Sequence, residues 1–94
     1  MAIAGFRHKG LRGLFEYDDT SGVEAQLAKK LKRMLAAIDK ATAIDELETL
    51  PGWRLHPLKG DLKGFWSLTV SGNWRLVFRF EDGHAIDIDL IDYH

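Results

Sequence analysis

Ninety-four residues and 10.7 kDa are enough for one domain and exclude multidomain machinery, since domains commonly hold roughly 100–150 residues. Cysteine is absent, which excludes disulfides, thiolate zinc sites and thiol nucleophiles and leaves no mark of an oxidising compartment. Thirteen Lys and Arg against fourteen Asp and Glu give a net charge of −1, too little for a strongly basic nucleic-acid binder, yet the charge is segregated: residues 1–40 carry +3, 41–50 carry −3, 51–79 carry +4 and 80–94 carry −5.

The first nine residues hold too few apolar side chains for a signal-peptide core, and no run approaches the ~20 apolar residues of a membrane span. A single cytoplasmic domain covering residues 1–94, with no membrane partner, is therefore expected. In chain order, Ala2 to Arg7 is short enough for an edge strand. Leu11, Leu14 and Phe15 then fall at helical spacing, weakened by Gly10 and Gly13. Ser21 and Glu24 have the spacing of a capping box, which predicts a helix whose stripe is Leu27, Leu31, Met34, Leu35 and Ile38, with Lys29, Lys30, Lys32, Arg33 and Lys40 largely off it. Thr42 with Asp45 repeats the start signal, and Pro51-Gly52 ends a short second helix that pairs with the first as a hairpin.

From Trp53 the period becomes two. Trp66, Leu68 and Val70, then Trp74, Leu76, Phe78 and Phe80, then Ile86, Ile88 and Leu90 predict an antiparallel meander. Placing every apolar residue on one face requires a three-residue Glu81-Asp82-Gly83 loop, with Phe80 opposite His84, because a two-residue loop would turn Asp87 inward. The same test sets Val70 opposite Trp74 and gives Asn73 the left-handed conformation. Trp53 to Leu58 adds a strand with Trp53 and Leu55 facing the core. The fold class is then α+β: an antiparallel sheet with helices on one face and Arg54, His56, Ser67, Thr69, Arg75, Arg79, Asp87 and Asp89 on the other.

That polar face is where chemistry is expected. Arg75 and Arg79, about 7 Å apart on one strand, suit adjacent phosphates, but in this register Arg75 faces Asp89 and Arg79 is diagonal to Asp87, so cross-strand ion pairs account for them equally well. His56 and Lys59 bring an imidazole and an ammonium to a Gly-bearing loop, whose bland reading is a packed His beside Pro57 and a solvated turn. Asp92-Tyr93-His94 is either a frayed tail or a carboxylate, a phenol and an imidazole for proton transfer. Strict alternation places Asp92 and His94 off the polar face, so the second reading needs a bend after Leu90. His8, His56, His84 and His94 lack metal-ligand spacing, and no metal is expected.

Leu55-His56-Pro57-Leu58-Lys59-Gly60-Asp61, Gly64-Phe65-Trp66-Ser67-Leu68, Gly72-Asn73-Trp74-Arg75 and Asp92-Tyr93-His94 together resemble the HigB-type toxins of the RelE superfamily. Phe6, His8-Lys9-Gly10-Leu11 and Thr20-Ser21-Gly22-Val23 extend the likeness over nearly the whole chain. The resemblance implies a type II toxin–antitoxin component: an endoribonuclease that cuts translated mRNA in the ribosomal A site without metal or other cofactor. It also implies restraint by a HigA-type helix-turn-helix antitoxin, through which alone operator DNA is contacted. The fold so implied is a RelE-like antiparallel sheet with two N-terminal helices on one face. Carried over residue by residue, the catalytic set is His56, Lys59, Arg75, Asp92, Tyr93 and His94, with Arg54, Lys63 and Arg79 as further RNA contacts. His56 and His94 would carry protons, in an order left open, Arg75 and Lys59 would stabilise phosphoryl charge, Asp92 would orient an imidazole and Tyr93 would stack or place the sugar. The net acidity and Leu90-Ile91 depart from the family pattern and imply weaker affinity for RNA or the ribosome. The rival reading is a non-catalytic domain that only binds its antitoxin.

Overall fold

In a computed structural model that describes residues 1–92, the chain runs through β1 (Ala2–Ile3), α1 (Lys9–Tyr17), α2 (Ala25–Lys40), a 3₁₀ helix (Ile44–Thr49), β2 (His56–Pro57), a 3₁₀ turn (Gly60–Leu62), β3 (Trp66–Ser71), β4 (Trp74–Glu81) and β5 (His84–Asp92). The sheet order is β1-β5-β4-β3-β2; β1 runs parallel to β5 and the other pairs are antiparallel. Leu14 of α1 and Leu31, Met34, Leu35 and Ile38 of α2 meet Leu68, Val70, Leu76, Phe78 and Ile88 of the sheet, each at most 1% exposed. This is the expected α+β arrangement, with both helices on one face.

Helix α1 forms despite its two glycines because His8 caps it, its Nδ1 accepting from the Leu11 N–H at 3.1 Å. Gly10 is needed for packing. A Cβ there would lie 2.0 Å from the carbonyl oxygen of Gly22, so the two backbones touch where α1 crosses the approach to α2. Helix α2 therefore packs beside α1, whereas the segment 42–50, expected as the other arm of a hairpin, forms only the 3₁₀ helix Ile44–Thr49.

Both helix-start signals find different partners. Helix α2 begins at Ala25 without a side-chain cap, and the Ser21 N–H goes to Asp19 Oδ1 at 2.9 Å rather than to Glu24. An aspartate two residues upstream closes an Asx-turn before a glutamate three residues downstream can reach back. At the second start Glu46, not Asp45, gathers the donors: its Oε2 accepts from the Thr42 N–H at 2.8 Å, the Ala43 N–H at 2.9 Å and the Thr42 hydroxyl.

Two turns differ from expectation. Asp82 and Gly83 have φ of 51° and 80°, a two-residue turn of the type that suits the strand twist, so Glu81 pairs with His84 and Phe80 with Ala85. The inward turn of Asp87 that this register threatened is avoided by an extra residue: Asp87 itself takes φ 53°, the register shifts between Val77 and Arg79, and Ile88 and Leu90 return to the core side. At the other hairpin Ser71, not Val70, pairs with Trp74. Gly72 rather than Asn73 is left-handed at φ 55°, and the Val70 carbonyl accepts from Lys30 Nζ of α2 at 2.5 Å.

The borders are short. The Ile3 N–H donates to Asp39 Oδ1 of α2 at 3.1 Å, and at the far edge β2 holds only two residues, one of them Pro57. The strand expected over Trp53 to Leu58 is broken at Arg54, whose φ is 49°.

Gly10→Ala is expected to lower stability by about 1–3 kcal/mol because backbone cannot yield to the new methyl group. Gly13→Ala, whose nearest neighbour would be 3.7 Å away, should be neutral or stabilising through helix propensity. Urea unfolding of the two variants gives opposite shifts if the Gly10–Gly22 contact is as described, and equal shifts if it is not.

The hydrogen bonds from the Thr42 hydroxyl, then the Thr42 and Ala43 N–H groups, hold the Glu46 carboxyl below its ordinary value of 4.5. A group depressed in the folded state stabilises fully above its unfolded value and loses that contribution as pH falls through the folded one. In urea unfolding followed below about pH 4.5, Glu46→Gln should therefore flatten part of the acid loss of stability; an unaltered acid limb would contradict the cap.

Candidate active site

The face away from the helices carries most of the expected site, but it is not uniformly polar. The segment from Leu58 to Phe65 folds back over it, and Leu58, Phe65 and Val77 form a second buried cluster flanked by Leu62 and Ile91. Ser67, expected at the surface, is consequently 1% exposed, and its Oγ has no hydrogen-bond partner among the described residues. The apolar residues at positions 58, 62 and 65, with Val77 and Ile91 on the nominally polar phase of their strands, are the sequence signal for this cover.

Register places the functional side chains. His56, Ser67, Val77 and Asp89 form one row across β2, β3, β4 and β5, and Thr69, Arg75 and Ile91 form the next. With strands ~4.8 Å apart and ~3.4 Å of rise per residue, the Cα atoms of His56 and Arg75 lie about 12 Å apart, a gap that an imidazole and a guanidinium can close around one phosphate.

The β-bulge at Asp87 separates the two arginines chemically. Arg75 faces Ile91, not Asp89, and its Nη1 donates to the carbonyls of Gly72 at 2.7 Å and Trp74 at 3.2 Å. Arg79 instead donates to Glu81 at 2.6 Å and lies 3.7 Å from Asp87, which also faces Arg7 at 3.9 Å. Arg7 in turn stacks over the Phe65 ring at 5.0 Å. The Arg79–Asp87 pair expected from pattern is present; the Arg75–Asp89 pair is not.

His56 Nδ1 lies 3.1 Å from the Arg54 carbonyl oxygen. A carbonyl only accepts, so Nδ1 carries the proton and Nε2 presents its lone pair away from the chain when the ring is neutral. Arg54, Lys59 and Lys63 are exposed, and among the described residues their side chains enter no ion pair or hydrogen bond. Asp92 is exposed and pairs with Trp74 at the end of β5, which keeps its register from Leu90 to Asp92. By alternation Asp92 starts from the face of Leu90, and the bend after Leu90 that the catalytic reading of the tail requires does not occur within that stretch. Tyr93 and His94 lie outside the described residues. Among the described residues, no cluster of three His, Cys, Asp or Glu side chains is arranged to hold a metal ion, and no helix is long and apolar enough to cross a membrane.

Comparison with known proteins agrees with this architecture. The chain is similar to the endoribonuclease HigB of Proteus vulgaris, at 50% identity over 92 residues covering 98% of this chain and 99% of that protein. Toxin HigB-1 of Vibrio cholerae is 34% identical over 83 residues, covering 87% of each chain. Among solved structures, the YoeB–YefM complex from Staphylococcus aureus matches with a TM-score of 0.62 at 22% identity, covering 100% of this chain and 99% of that one. A YafQ mutant from E. coli matches with a TM-score of 0.59 at 20% identity, covering 94% and 88%. These two establish the fold alone. Residues 4–94 match the family described as the RelE-like toxin of type II toxin–antitoxin system HigB, and the chain belongs to that family of toxins.

Proposed function

We propose that this toxin is a single-domain cytoplasmic endoribonuclease that cuts mRNA in the ribosomal A site and is restrained by a HigA-type helix-turn-helix antitoxin, which alone contacts operator DNA. The observation that carries the reading is the pairing of an exposed imidazole, held at Nδ1 by a main-chain carbonyl, with an arginine that has Ile91 and no carboxylate opposite it, on one face of the sheet. A merely structural pair would have no reason to leave both groups in this condition.

Cleavage without metal uses the ribose 2′-hydroxyl as nucleophile. It attacks phosphorus, loses its proton to a base, and expels the 5′-oxygen, which takes a proton from an acid and leaves a 2′,3′-cyclic phosphate. His56 exchanges its proton at Nε2, and His94 serves the opposite end of the reaction. Arg75 meets the phosphoryl oxygens with Nε and Nη2, since Nη1 is held by the Gly72 and Trp74 carbonyls. Lys59 adds charge to the same oxygens, Asp92 orients an imidazole and Tyr93 stacks on a base or places the sugar. Arg54 and Lys63 track the RNA backbone. Arg79 is shared with Glu81 and Asp87 and contributes less to that attraction.

Arg75→Ala is expected to reduce cleavage by about 10²–10³-fold, and His56→Ala or His94→Ala by about 10²–10⁴-fold, with each variant folded and still bound to the antitoxin. Growth inhibition on expression should disappear accordingly. Mapping mRNA 5′ ends in translating and translation-blocked extracts tests the ribosome requirement. Cuts in the translating extract alone support it, whereas equal cutting in both, or full toxicity of Arg75→Ala, refutes the assignment.

A further inference from the structure

The strained backbone beside His56 carries a second role for Arg54. Among the described residues, the non-glycine positions at positive φ are Asp18, Asp82, Asp87 and Arg54. Aspartate tolerates this region; arginine has no side-chain device that favours it. The cause lies in the ladder. Pairing of His56 with Ser67 continues on its far side through the Leu58 N–H to the Phe65 carbonyl at 2.9 Å. Extended in the other direction by two residues, the same register would bring the Thr69 N–H to the Arg54 carbonyl. Instead the Thr69 N–H donates to Trp53 at 2.7 Å, so one extra residue is inserted between the two anchor points. Trp53 and Leu55 on either side pack against the main core, which leaves Arg54 to absorb the slip. Its carbonyl, displaced from the ladder, is the group that accepts from His56 Nδ1.

We propose that Arg54 is a positioning residue that acts through its main chain: its left-handed conformation aims a displaced ladder carbonyl at His56 Nδ1 and so fixes the tautomer that exposes Nε2 to RNA. This rests on the reading of His56 as a proton carrier and adds the element that prepares it. The role is independent of the guanidinium, which separates it from RNA attraction by charge.

Three substitutions divide the two roles because each removes the same charge. Arg54→Gly and Arg54→Asn accept a left-handed backbone, whereas Arg54→Val does not. Imidazole ¹⁵N NMR of the full-length free proteins reads the tautomer directly. Glycine and asparagine variants should retain the Nδ1-protonated pattern of the parent, and the valine variant should show a mixed one. In single-turnover cleavage of ribosome-bound mRNA, all three should lose affinity alike. Only the valine variant should show a further drop of tenfold or more in the saturated rate. A cooperative unfolding transition of the valine variant well above the assay temperature excludes loss of fold as the cause. An unaltered tautomer in Arg54→Val overturns the proposal, as does an altered tautomer with an unaltered saturated rate. If in the latter case His56→Ala also cleaves at the parental rate, the fault lies in the catalytic assignment of His56 and not in the geometry that sets its tautomer.

Discussion

One extra residue in the final strand governs the sheet. The Asp82-Gly83 turn fits the twist of β4 and β5 but sets them one step out of phase, and the left-handed Asp87, four residues after Gly83, restores the phase. Without that correction Ile88 and Leu90 would face solvent and the core would lose its last strand. Asp87 is held on both sides, by Arg79 and Arg7, and the adjoining Ile88 accepts from the N–H groups of Arg7 and His8 and donates to Gly5. The N-terminal segment is thus attached where the ladder is irregular and has spare carbonyl and amide groups to offer.

The same correction sorts the charges. Arg79 falls beside two carboxylates and becomes part of the scaffold, while Arg75 is moved opposite Ile91 and keeps its charge for another use. A face that sums to nearly neutral in composition therefore presents its positive groups unevenly. Arg54, Lys59 and Lys63, which among the described residues enter no ion pair, gather along the β2 side with His56, away from the acidic strand β5. Net charge alone would have missed this.

The sequence made the layers legible because alternation and helical spacing report burial directly: every apolar stripe residue of α2 is in the core, as are the inward residues of β3 and β4. It was less informative about turns, since a search for one unbroken apolar face assumes unbroken ladders. The three-residue Glu81-Asp82-Gly83 loop and the opposition of Arg75 to Asp89 both follow from that assumption; the first gives way to the two-residue Asp82-Gly83 turn, and the second is displaced by that turn and the bulge at Asp87 together. Ser21 with Glu24 failed for a different reason, as Asp19 was the nearer acceptor. Of the site, the residue types and their common face could be read, including His56 and Arg75. The carbonyl that orients His56 could not, because a displaced main-chain group leaves no trace in side-chain pattern.

The sheet ends in two borders that offer little to a neighbour. On one side the Ile3 amide is occupied by an aspartate from α2; on the other a two-residue strand carries a proline, which has no hydrogen to donate. Crowded copies of the chain consequently lack a long open row of main-chain groups on which to stack edge to edge. Substitutions that lengthened either rim would open such a row to a second copy of the chain.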